Sequence, residues 1–173
     1  MIELRFHGRG GQGAVTAAEL LAVAAFKDGK FSQAFGAFGP ERRGAPVTSF
    51  CRIDDKFIRI RQQVYNPNIV VVLDSGLLQH VNITDGVDKA EPVIINCTEK
   101  HDLQADVHVV DASKLAREIV GKNIVNTAML GALAKVTNIV SLKSLEEAVK
   151  ERFEGKIAEK NIQLMKKTYE MTK

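Results

Sequence analysis

The 173-residue chain carries 24 Lys and Arg against 21 Asp and Glu, a formal net charge of +3, and is 45% hydrophobic. That is enough chain to bury a core without disulfide or metal support, and it predicts a single domain over residues 1–173. So mild a basic excess suits an anionic ligand or an acidic partner and excludes the strongly basic class of nucleic-acid binders, while no apolar run approaches the roughly 18 residues of a membrane span.

The opening residues alternate Ile2, Leu4, Phe6, which predicts a strand rather than a signal peptide and hence a cytoplasmic protein. Directly after it, Gly8-Arg9-Gly10-Gly11-Gln12-Gly13 has the spacing GxGxxG and opens a helical pattern running to about Asp28. Glycines permit a tight turn that brings backbone N–H groups close to an anion, and the following helix N-terminus adds about half a positive charge at the same place. On spacing alone, glycines that serve close packing remain an alternative. A dinucleotide site also wants an Asp or Glu about 20 residues on, at the end of the second strand. That strand, Phe31-Ser32-Gln33-Ala34-Phe35, ends without one. The nearest acid, Glu41, stands beside Arg42 and Arg43 as an ion-pair partner, so NAD binding is disfavoured.

From Phe35 to Pro46 the chain is rich in Gly, Pro and Arg and reads as a loop, with Arg42 and Arg43 suited to an anion or a protein interface. Strand patterns at Val47–Ile53 and Phe57–Arg61, joined by Asp54-Asp55, predict a hairpin. The run Ile69-Val70-Val71-Val72-Leu73-Asp74 predicts a strand buried on both faces at the centre of the sheet. Asp74 ends it where open α/β sheets place ligand-facing groups, but is read first as the N-cap of the next helix. Two more strands are expected at Val93–Asn96 and Val107–Val110, then a short helix from Lys114 to Val120. Helices are expected at Thr127–Val136, with Gly131 permitting close packing, around Leu142, Leu145, Val149 and Phe153, with Ser144 and Glu147 as a capping box, and over Ala158, Ile162, Met165 and Tyr169. The expected class is α/β: a three-layer α/β/α arrangement with a mostly parallel, mixed central sheet, a Rossmann-like start and C-terminal helices.

No catalytic constellation emerges. The four histidines are scattered, and His7, which abuts the glycine loop, is read first as an interior group with a satisfied hydrogen bond. Cys51 and Cys97 lie in apolar strand patterns with no CxxC, as buried small hydrophobes in a reducing compartment. Ser75, Ser49 and Thr48 have no base in a recognisable motif.

Four stretches together resemble one family: Gly8 through Thr16, Gln33-Ala34-Phe35, Phe38 through Pro46, and Ile124 through Ala132. They are similar, over nearly the whole chain, to the gamma subunits of pyruvate:ferredoxin oxidoreductase (pyruvate synthase). The resemblance implies an oxidoreductase assembly that turns pyruvate, coenzyme A and oxidised ferredoxin into acetyl-CoA, carbon dioxide and reduced ferredoxin. It places thiamine diphosphate on alpha and beta subunits and [4Fe–4S] clusters on beta and delta, with ferredoxin reached through the complex and no cofactor held by this chain alone. Two cysteines agree with that division, because a [4Fe–4S] cluster takes four thiolates. The residues expected to meet the coenzyme A phosphates are Gly8, Arg9, Gly10, Gly11, Gln12 and Gly13, with Arg42 and Arg43 assisting or touching a partner subunit. The alternatives are a purely structural assembly subunit and a gamma subunit for 2-oxoglutarate or 2-oxoisovalerate.

Overall fold

The computed structural model describes residues 1–37 and 44–172. Its centre is a six-stranded sheet of β1 (Ile2–Arg9), β2 (Phe31–Gly36), β3 (Pro46–Asp54), β4 (Ile69–Val72), β5 (Pro92–Asn96) and β6 (Asp106–Val110), in the order β2-β3-β1-β4-β5-β6. β1, β4, β5 and β6 run parallel, with Phe6 opposite Val71 and Ile94 opposite His108. β3 returns antiparallel to β1, and β2 antiparallel to β3. The four residues of β4 are all buried, as expected of a β-branched run at the middle of a sheet.

Period-two alternation along β1 separates the two faces. Leu4 and Phe6, aligned with Cys51 and Ser49 of β3, face the five helices α1 (Ala14–Lys27), α2 (Ala112–Ile119), α3 (Asn126–Thr137), α4 (Leu142–Arg152) and α5 (Gly155–Met171). Alanines of α1, among them Ala17, Ala18, Ala24 and Ala25, lie fully buried and let the helix seat close to the strands. At Gly131 of α3 an added Cβ would overlap the main-chain oxygen of Met165 in α5, so this glycine sets the closeness of the crossing. Thr168 Oγ1 donates to Ala128 O across the same contact at 2.6 Å.

The opposite face is covered differently. Val70, Val72, Val93 and Ile95 pack under Leu78, Val81, Ile83, Val87 and Leu103, from a 3-10 turn (Ser75–Gln79) and irregular chain. The third layer of the expected sandwich is therefore loop and turn rather than α-helix.

Two local expectations need correction. Phe57–Arg61 forms no strand, and β3 pairs instead with β2, with Phe31 opposite Asp54 and Gly36 opposite Ser49. Asp54 accepts from Lys56 N at 3.0 Å to turn the chain, and the fully buried Arg52 then takes the carbonyls of Ile60 (3.5 Å) and Gln62 (2.7 Å). A side chain thus supplies the donors that a neighbouring strand would have supplied. The cap of α4 is Ser141, whose Oγ accepts from Ser144 N at 3.1 Å, one turn before the expected Ser144. Asp28, closing α1, fixes this cap by accepting from Ser141 N, Ser141 Oγ and Ser144 Oγ at 2.6, 2.8 and 2.5 Å.

Candidate functional site at the glycine loop

The chain leaves β1 toward β2 on one side and reaches β4 on the other, so the sheet's order switches between β1 and β4. A crevice outside the carboxyl ends of two such strands is where open α/β sheets hold ligands. The glycine loop fills that place. Gly11 and Gly13 take φ of +92° and +78°, a region that side chains disfavour. Gly13 stands at the N-cap of α1, where no side chain caps the first turn. A Cβ on Gly11 would project into open space, whereas one on Gly13 would come within 2.6 Å of Asn126 Nδ2. One glycine therefore answers to an accessible turn and the other to close packing against α3.

Part of the loop is spent on holding itself. Arg9 N donates to Gln12 Oε1 at 2.7 Å, Gly10 N to Ala45 O at 2.9 Å, and Gln12 N to Arg9 O at 2.9 Å. The N–H groups of Gly11 and Gly13 have no such partner among the described residues, and they lie beside the positive end of α1. These two donors, with the first turn of α1, are what the loop offers to an anion.

Asp74, just beyond β4, gathers the other side. Its Oδ2 accepts from Arg9 Nε at 3.0 Å and Gln12 Nε2 at 2.9 Å, and its Oδ1 from Gly76 N at 2.9 Å. It is the N-cap of the 3-10 turn, as read from the sequence, and also the anchor of the loop's two long side chains. Burial alone would raise the Asp74 carboxyl, but the bonds from Gln12, Gly76 and Arg9 outweigh it and hold the group below the ordinary carboxylate range. The Arg9 guanidinium is thereby partly neutralised by Asp74.

The structure brings together Gly8, Arg9, Gly10, Gly11, Gln12 and Gly13 with the distant Asn126. Arg42 and Arg43 lie outside the described residues; Gly44, beside them in the chain, donates from its N–H to Gly10 O at 3.2 Å. Sequence reasoning missed Asn126 as a neighbour of the loop, though it stands inside the Ile124–Ala132 motif. Ser49, which has no base in a recognisable motif, serves structure: its Oγ donates to Ala14 O at 2.8 Å, tying β3 to the start of α1.

His7 is buried as expected, but its Nε2 has no hydrogen-bond partner among the described residues, so the satisfied interior group is not what the structure shows. Burial first, and then the charge of Arg5, push its pKa down to about 4, which keeps the ring neutral. Burial likewise raises the Cys51 thiol, and Cys97 is raised by partial burial. Among the described residues no group of three or more His, Cys, Asp and Glu is placed to hold a metal ion, and no helix is long and apolar enough to cross a membrane.

Comparison with known proteins identifies the family of the chain. The chain is 56% identical to the pyruvate synthase subunit PorC of Methanothermobacter thermautotrophicus, over 98% of this chain and 95% of that protein. It is 52% identical to the pyruvate/ketoisovalerate oxidoreductases common subunit gamma of Pyrococcus furiosus, over 99% and 97%. The crystal structure of pyruvate oxidoreductase subunit PORC from Thermotoga maritima superposes with a TM-score of 0.88 at 35% identity, covering 99% of this chain and 97% of that one. A 2-oxoglutarate:ferredoxin oxidoreductase from Magnetococcus marinus, solved with 2-oxoglutarate, coenzyme A and succinyl-CoA bound, shares the fold at 17% identity and a TM-score of 0.79, this chain spanning 30% of its length. The pyruvate ferredoxin/flavodoxin oxidoreductase family model matches residues 3–171, and the chain belongs to that family.

Proposed function

We propose that this chain is the gamma subunit of a multisubunit pyruvate:ferredoxin oxidoreductase, and that its glycine loop binds the phosphates of coenzyme A. The reading rests on one observation above the others. The N–H groups of Gly11 and Gly13 are unspent on described partners, at the uncapped start of α1 and at the switch point of the sheet. Backbone donors and a helix N-terminus favour a phosphate there without needing a fixed cation. In this assembly, alpha, beta and delta subunits carry the thiamine diphosphate and the iron–sulfur clusters, and this chain contributes coenzyme binding and assembly. Relatives named as a common subunit of pyruvate and ketoisovalerate oxidoreductases support leaving the choice of oxoacid to other chains.

Calorimetric titration of the assembled oxidoreductase with coenzyme A tests the loop. Gly11→Asp sets a carboxylate beside the expected phosphate, and the expected result is at least about tenfold weaker coenzyme A binding with the pyruvate KM unchanged. Unchanged coenzyme affinity in an intact complex would make the loop a structural turn. That second reading draws on the three N–H groups, of Arg9, Gly10 and Gln12, that the loop already spends internally.

A further inference from the structure

The segment Phe57-Ile58-Arg59-Ile60-Arg61 has the alternation of a strand and, among the described residues, no strand partner. It runs near β2, the edge strand, which among the described residues pairs only with β3. Phe57 meets Phe31 of β2 edge to face, with ring centroids 6.0 Å apart. Between the segment and β2 lies an open groove of about 500 Å³ lined by Ser32, Gln33, Phe57, Ile58, Arg59 and Arg61. Phe57 is 70% exposed and Phe31 45%, an apolar pair left to solvent at a sheet edge. Edges of this kind are normally blunted or covered, because unpaired backbone groups recruit another chain.

The charge of the groove narrows the occupant. Of the six described residues that line it, two are arginines and none is acidic. Arg59 and Arg61 form no ion pair among the described residues. Of the acids close by, Glu3 is paired with Arg52 at 2.7 Å and Asp54 with the Met1 ammonium at 3.2 Å, while Asp55 forms no ion pair among the described residues and stands next to Lys56 in the chain, outside the lining of the groove.

We infer that this groove receives an extended, acidic segment of a partner subunit, which adds to the sheet edge through its backbone and meets Arg59 and Arg61 with its carboxylates. The inference rests on the chain acting as one subunit of an assembly, and it locates one contact of that assembly away from the glycine loop. Main-chain pairing supplies affinity, and the arginines select for carboxylates by bidentate hydrogen bonding.

Two measurements on the assembled oxidoreductase test it, and a third identifies the occupant. Amide hydrogen exchange of residues 31–35 and 57–61, compared between the isolated chain and the complex, is expected to slow strongly on assembly. Arg59→Glu with Arg61→Glu, both on exposed side chains, is expected to weaken association about tenfold or more at low salt without changing the chain's melting temperature. A photo-crosslinker at Phe57 is expected to capture an acid-rich peptide of a partner subunit. A complex that forms with exchange at these residues unchanged, and that tolerates both charge reversals, would overturn the inference while leaving the subunit reading intact. Absence of any complex with the native chain would instead overturn the subunit reading on which it rests.

Discussion

The helix-covered face of the sheet and the loop-covered face solve burial in opposite ways. The first is filled by Leu4, Phe6 and a bed of alanines, with Gly131 and Thr168 drawing α3 and α5 together. The second hides ionisable groups: Arg5, His7 and Arg52 are all buried on strands β1 and β3. Apolar packing tolerates little change in volume, whereas a buried polar face depends on where each donor goes. The helical side is therefore governed by shape and the other by hydrogen-bond supply and pH.

The largest expected effect lies on the helical side. Gly131→Ala places a methyl against main chain, not against the end of a flexible side chain, and should lower stability by about 3 kcal/mol or more in denaturant unfolding. A near-neutral result would show that α3 and α5 can separate freely and would erase the contrast between the faces.

The next effect belongs to the polar side and is a matter of pH. With its pKa near 4 in the folded chain and near 6.5 when unfolded, His7 takes up a proton on unfolding throughout that interval. Its contribution is complete above the unfolded value and is lost as pH falls toward the folded one. The loss is roughly 1.4 kcal/mol per pH unit, on the order of 3 kcal/mol across the window. His7→Leu should flatten this part of the stability profile, measured by chemical denaturation at a series of pH values. An unaltered slope would mean that the ring is solvated and the second face is not dry.

The smallest effect separates local capping from packing. Ser141→Ala removes the N-cap of α4, and should cost about 1 kcal/mol, seen as roughly 2–4 °C in melting temperature. Asp28→Ala should cost at least as much, since its carboxylate accepts three of the hydrogen bonds at this junction. If Asp28→Ala proved silent, the tie between α1 and α4 would carry no energy.

Much of this architecture could be read from local pattern. β1, α1 and β4 come directly from alternation, the alanine-rich helical period and the β-branched run, because each local preference agrees with the tertiary fold. Phe57–Arg61 shows the limit: it carries a strand's alternation, but a strand also needs a neighbour, and no local pattern reveals whether one is present. Ser144 with Glu147 fits a capping box, but Asp28, far off in sequence, makes Ser141 the better start. At the candidate site the glycine spacing identifies the loop. Its internal bracing, from Arg9 and Gln12 to Asp74, spans more than 60 residues and depends on the order of the strands. The approach of Asn126 to Gly13 depends on how α3 packs, which glycine spacing does not encode.

The buried arginines also set how the molecule comes apart. Arg5 reaches from the sheet to the carbonyls of Ile83 and Asp85, at 3.0 and 2.6 Å, and Arg52 to those of Ile60 and Gln62. The covering chain is thus pegged at a few points by side chains instead of being laced into a continuous ladder. Releasing two pegs frees a stretch of backbone at much less than the cost of global unfolding. Limited proteolysis would accordingly nick residues 56–63 first, while the strands and the five helices on the far face still hold as one unit.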